Sequence, residues 1–206
     1  YNAALGGHNV AYFSLEINKY HLQCDLLSRH SNETRFKDKL EHRDLKFKKL
    51  DTNKEDYLFS TVFPHFSETV GKHLFIIDEG DILEYSTVFF EAFLRELDTK
   101  FIKETGKGIE LIFVDHIQLL KSSNSTKVND TREIINYFVS FFRKQAVNFL
   151  GTGRVVCVVL LSQTNRDGWR YATKHEGTYQ LNALAESNEL ERSCNTVLSI
   201  YTNEAF

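Results

Sequence analysis

The chain has 206 residues, 42% of them hydrophobic, which is enough for one sizeable core, so a single domain is expected. A formal net charge of -3 with 26% charged residues describes an ordinary surface and excludes a strongly basic tail. Cys24, Cys157 and Cys194 are far apart, odd in number and in no C-x-x-C pair, so neither a disulfide framework nor a zinc site is suggested, and reduced, buried thiols are the expectation.

No apolar run approaches the roughly 18 residues of a membrane span, and no signal peptide is present, so a cytoplasmic protein without a membrane partner is expected. The sequence contains no methionine, position 1 included, so Tyr1 does not read as a translation start.

In chain order, Gly6-Gly7 reads as a helix-to-strand turn leading into V-A-Y-F-S-L (Val10 to Leu15), a continuously apolar run expected of a strand buried on both faces of a parallel sheet. The segment from Arg35 to Asp56 mixes charges of both signs and reads as one or two exposed helices. Pro64 begins the approach to a second strand, L-F-I-I (Leu74 to Ile77).

Phe89, Phe93, Leu97 and Phe101 recur at helical spacing and lead to a third strand, L-I-F-V (Leu111 to Val114). Ile135, Val139, Phe142, Ala146 and Phe149 mark the inner face of a further helix, with Asp130 and Glu133 as its N-cap pair and Gly151 as its C-cap. V-V-C-V-V-L-L (Val155 to Leu161) is the fourth strand, and T-V-L-S-I-Y (Thr196 to Tyr201) a candidate fifth. Strands alternating with helices predict an α/β fold, a mostly parallel twisted sheet flanked by helices.

In such sheets ligands bind beyond the carboxyl ends of the strands, so the polar residues that follow each apolar run matter most: Glu16, Asp78 with Glu79, Asp115 and Gln163. A carboxylate delivered by a buried strand is costly unless something uses or pairs it. The bland alternative for each is a helix cap or turn residue; for Glu16 it is a cap for a helix starting near Asn18. Asp115, after L-I-F-V and before H-I-Q-L-L, has the Walker B arrangement, in which a strand presents one carboxylate to a nucleotide-associated magnesium. L-F-I-I-D-E competes for that assignment.

The ordered set S-L-E (Ser14 to Glu16), F-V-D-H-I-Q-L-L (Phe113 to Leu120), L-S-Q-T-N-R (Leu161 to Arg166) and L-A-E-S-N-E-L-E-R (Leu184 to Arg192) resembles the ATPase domain of DnaB-type replicative helicases, nearly from end to end. The resemblance implies a RecA-like P-loop NTPase core using ATP and Mg2+. It also implies assembly as a homo-hexamer that moves on single-stranded DNA, with primase and a helicase loader as partners. It makes Glu16 the group that activates water, Asp115 the magnesium-associated aspartate acting through water, and Gln163 the γ-phosphate sensor, while Arg166 completes S-Q-x-N-R at the nucleotide. Under it Asp78 and Glu79 fall back to loop or capping roles on an extra strand, and Lys144 matches a lysine of the intervening helix. Residues 121–131 and 167–180 match the family's DNA-gripping loops. Lys127, Arg170 and Lys174 there, with Glu186, Ser187 and Asn188, are the implied DNA contacts, with Trp169 and Tyr171 offering stacking surfaces. Asn188 stands where the family has glycine, a departure from the pattern.

The G-x-x-x-x-G-K-[ST] of a phosphate loop is absent: Gly71-Lys72 is followed by His73, and Gly106-Lys107 by Gly108. The resemblance puts that loop before Tyr1 and the trans-acting basic finger after Phe206, and so implies that these 206 residues alone bind ATP poorly and unwind nothing. Two other functions fit parts of the pattern: a RecA- or RadA-type recombinase, and a degenerate, non-catalytic RecA-like binding module.

Overall fold

The computed structural model describes residues 1–33, 35–121, 130–184 and 188–201. A one-turn helix α1 (Asn2–Leu5) ends at Gly6 and swings through Gly7, at φ +81°, into β1 (Val10–Ser14), the turn expected from the glycine pair. Three helices follow, α2 (Lys19–Ser31), α3 (His42–Lys46) and α4 (Thr52–Tyr57), the last two being the exposed helices expected of the mixed-charge segment. A π-helical turn (Leu58–Val62) then leads into α5 (Phe63–Thr69). Pro64 accounts for that widening. It offers no N–H to the preceding turn and its ring crowds the carbonyl there, so the chain enters α5 with Pro64 in the first turn, where no donor is needed.

After β2 (Leu74–Asp78) comes the long α6 (Thr87–Thr105), started by the Ser86 side chain accepting from Phe89 N and stopped by Gly106 at φ +79°. β3 (Leu111–Asp115), α7 (Thr131–Val147), β4 (Cys157–Leu160), α8 (Arg166–Lys174) and α9 (Asn188–Ser193) complete the order. Asp130 caps α7 as expected, accepting from Arg132 N at 2.9 Å. Gly151 does not: α7 ends at Val147 with Asn148 as its C-cap, and Gly151 (φ +73°) lies in the next turn, pinned by buried Gln145 accepting from Leu150 N at 2.9 Å.

Among the described residues the sheet has four strands in the order β2-β1-β3-β4, every pair parallel, as the alternating pattern requires. The candidate fifth strand at Thr196 to Tyr201 is not formed. A strand exists only by pairing, and this run pairs with nothing among the described residues; Leu198 and Ile200 are 89% and 91% exposed. Nor are the three thiols all buried: Cys24 is, but Cys157 sits on the sheet's outer strand β4 and Cys194 beyond α9, both exposed.

The two sheet faces are covered by different helices. Ala11, Phe13, Ile112 and Val114 meet Phe90, Leu94 and Phe101 of α6 and Ile135, Phe138 and Phe142 of α7 in the main core. Aromatic edges interlock there, Phe90 lying 5.2 Å from Phe13 and 5.4 Å from Phe138 between ring centroids. Val10 and Leu111, one residue out of phase and therefore on the opposite face, pack with Ala4 of α1, Leu26 and Leu27 of α2, and Phe66 of α5.

Two polar clamps fix the entry to β3. Buried Asn9 donates to Thr105 Oγ1, Lys107 O and Gly108 O and accepts from His73 Nδ1. Asp98, on α6, accepts from Ile109 N at 2.7 Å and pairs with Arg154 at 2.5 Å. No helix among the described residues is long and apolar enough to cross a membrane.

Candidate functional site

Parallel pairing brings Ser14, Asp78 and Asp115 into one rank at the carboxyl ends of β1, β2 and β3. Leu15 N donates to Asp115 O at 2.7 Å, so β1 stays paired for one residue beyond its assigned end and Glu16 emerges beside Asp115. Ligand atoms of Glu16, Asp115 and His116 lie within 4.8 Å of one another. Glu16 is not a helix cap: Asn18 is, accepting from His21 N at 3.0 Å, and the Glu16 side chain stays 56% exposed.

Each of the two carboxylates has one neighbour holding it. The Tyr12 hydroxyl donates to Asp115 Oδ2 at 2.8 Å, and burial followed by this bond pushes its pKa well above the usual tyrosine value. His116, buried and joined to Asp115 by a cis peptide, places Nδ1 3.2 Å from Glu16 Oε2.

Gln163 lies on the same rim, beyond β4. Leu161 N donates to Val114 O and Ile117 N to Leu161 O, so the chain after β4 runs alongside the turn that follows Asp115. Gln118 laces the two together: its Nε2 donates to Ser162 Oγ at 2.7 Å, and its Oε1 accepts from Gln163 N at 3.3 Å. The Gln163 side chain is exposed, as is Arg166, the first residue of α8.

At the β2 end the competing aspartate has a structural job. Asp78 accepts from Lys19 N at 2.9 Å, at the start of α2, and from Gly80 N at 3.1 Å, while its own N donates to Asp81. Glu79 pairs with Lys121, whose pKa that bond raises, and Lys19 pairs with Asp81 at 2.7 Å. Both acids therefore play the loop and capping roles expected of them.

The stretch expected as a loop at 167–180 is helical through its first half. α8 is capped by Asn165 accepting from Gly168 N at 2.7 Å, and it packs through Gly168 and Ala172. A Cβ at Gly168 would stand 2.2 Å from the Ala183 Cβ. Trp169, Arg170 and Lys174 face solvent; Arg170 bonds only loosely to Asp167, at 3.4 Å. Lys127, Glu186 and Ser187 lie outside the described residues, and Asn188 is the first residue of α9. Tyr12, His116 and Gln118 were not singled out from sequence, although the latter two stand inside the D-H-I-Q motif; a role for Tyr12 shows only in the cross-strand register.

A family profile described as "DnaB-like helicase C terminal domain" matches residues 1–206. No curated protein sequence matches the chain. Among solved structures, "The Structure Of A DnaB-Like Replicative Helicase And Its Interactions With Primase" is similar with a TM-score of 0.65 at 19% identity, over 93% of this chain and 40% of that one. That likeness establishes the RecA-like α/β fold, and the chain spans less than half the length of the matched helicase. Because the profile runs from the first residue to the last, the chain belongs to the DnaB-like helicase C-terminal domain family.

Proposed function

We propose that this chain forms part of the ATP-hydrolysing motor of a hexameric replicative helicase that translocates on single-stranded DNA and unwinds duplex. The observation that carries the reading is the approach of Glu16 and Asp115 at the ends of two adjacent parallel strands, with Gln163 laced to the same rim through Gln118. The donor set fits magnesium. Asp115 offers hard oxygens while His116 Nδ1 is engaged by Glu16, and a site built from a single protein carboxylate leaves room for the waters and phosphates that this ion prefers to keep.

Asp115 would hold the cation, which when bound supplies neutralisation of the phosphate charge. Glu16, exposed and restrained by His116, can accept a proton from a water poised for attack, a role that needs a carboxylate close to the reacting phosphate yet not consumed as a ligand. Gln163 can donate through its amide without titrating, which suits a sensor of phosphate occupancy. Arg166, one turn from Trp169 and Arg170, links that rim to the exposed face of α8, where Trp169, Arg170 and Lys174 offer a stacking surface and two cations to a nucleic-acid backbone. Lys127, Glu186, Ser187 and Asn188 belong to the same proposed DNA path. A primase, a helicase loader and further copies of the chain are the proposed partners, in the cytoplasm.

The test is Glu16→Gln in the full-length protein. ATP binding should survive while steady-state hydrolysis falls by about 10²–10⁴-fold, the usual share of a positioned base. Hydrolysis within a few-fold of the unsubstituted protein would remove Glu16 from the reaction.

A further inference from the structure

We propose that Tyr12 and His116 are positioning residues with separate duties: Tyr12 orients Asp115 toward its cation, and His116 orients Glu16 toward the attacking water. The inference rests on the motor reading of this site and deepens it. Tyr12 stands opposite Phe113 in the β1–β3 register, and the two rings stack at 4.9 Å with 9° between their planes. Stacking on one side and a hydroxyl bond at the tip leave the phenol little freedom. Asp115 follows Phe113 by two residues, hence on the same face, so the hydroxyl reaches it diagonally across the strands.

An ionised carboxylate can only accept, so Tyr12 donates. One oxygen of Asp115 is thereby fixed and the other is left for the cation or its waters. A residue that fixes a ligand in this way commonly governs metal affinity.

His116 does the corresponding work for Glu16. Its side chain is only 8% exposed whereas that of Glu16 is 56% exposed, so the rigid partner restrains the mobile one. Since the carboxylate accepts, Nδ1 carries the proton in this contact. An otherwise free glutamate would spread over several rotamers, and only some would face a water at the phosphate.

The test compares Tyr12→Phe, His116→Ala, His116→Asn and Asp115→Asn in the full-length protein. Binding of Mn2+ with a non-hydrolysable ATP analogue is followed by electron paramagnetic resonance, and steady-state ATPase kinetics are measured alongside. Tyr12→Phe keeps the ring stack and should weaken Mn2+ about tenfold, with kcat restored at saturating Mg2+. His116→Ala should leave Mn2+ affinity within about twofold and lower kcat about tenfold at unchanged KM for ATP. His116→Asn, which returns a donor near the Nδ1 position, should recover most of that loss.

Unchanged or tighter Mn2+ binding in Tyr12→Phe would overturn the Tyr12 assignment. A His116→Ala protein with the original kcat, or one that Asn does not rescue, would overturn the other. If Asp115→Asn binds the Mn2+ complex as the unsubstituted protein does, the motor reading of the site fails and this inference with it. If Asp115→Asn loses binding while Tyr12→Phe does not, only the positioning role is wrong.

Discussion

Gly108→Ala is the most discriminating test of how β3 is held. Gly108 does not have a positive φ, so alanine introduces no backbone strain there, in contrast to Gly106 at φ +79°. The methyl group would instead stand 2.0 Å from Arg154 Nη1 and 2.3 Å from Asp98 Oδ1, and so it must part the ion pair that closes over the start of β3. Asp98 Oδ1 is also the acceptor of Ile109 N, so that bond must shift with it, and Asp98 would lose its cation while only 10% exposed. A hydrogen bond to a charged group contributes about 1.5–3 kcal/mol. The Arg154 side chain is 37% exposed, so screening argues for the lower half of that range, about 2 kcal/mol. For a chain of this size that corresponds to a fall in Tm of about 4–8 °C.

Urea unfolding of Gly108→Ala, Arg154→Ala and the double variant measures the coupling. Each single change should cost about 2 kcal/mol or more, and the pair clearly less than the sum of the two, because both remove the Asp98–Arg154 contact. Additive costs would show that the methyl does not act through the ion pair, and a Gly108→Ala protein within about 0.5 kcal/mol of the unsubstituted one would show that the clamp does not matter.

Two further outcomes are expected. Asp78→Ala should destabilise by about 2 kcal/mol, near 1 for each backbone N–H it leaves unpaired, whereas Glu79→Ala, breaking an exposed ion pair, should stay within about 0.5 kcal/mol by chemical denaturation. Stability should also fall in mild acid. Burial holds the pKa of His30, which sits among the Tyr1 hydroxyl, His65, Glu33 and Arg35, below its ordinary 6.5, and burial does the same for His73. The unfolded chain therefore takes up these protons first, so this contribution is complete above about pH 6.5 and is lost as the pH falls from there through the depressed folded values. Equal thermal midpoints at about pH 7.5 and 5.5 would contradict the sign.

Which parts of this molecule could be read from its residues follows from the range of the forces involved. The four strands announce themselves as continuous apolar runs, and the Asp130 cap by its place before an amphipathic period, because both signals are local. α8 escaped because its packing face is made of the smallest residues, Gly168 and Ala172, whose value lies in close approach rather than in apolar bulk. Thr196 to Tyr201 misled for the converse reason: apolar content marks a segment able to pair, but only an adjacent strand makes it one.

At the site, Glu16, Asp115 and Gln163 stand at strand ends and were legible as such. The bond from Tyr12 to Asp115 spans 103 residues of sequence and exists only through the β1–β3 register. Likewise Arg154 reveals nothing of its tie to Asp98 until β4 has been laid beside β3.

That same register sets where the protein tolerates changes of length. Insert or delete a single residue within β1 or β3, and every side chain beyond the change crosses to the other face: Tyr12 or Asp115 would then point into the phenylalanine core and a core residue would point out. The α3–α4 stretch reaches the sheet only through other helices, with Leu45 buried against α2, so its exposed turn at Lys48 and Lys49 carries no such parity and can change length. Descendants of this chain can therefore diverge in size on that side while the strands that carry the acids keep their residue count.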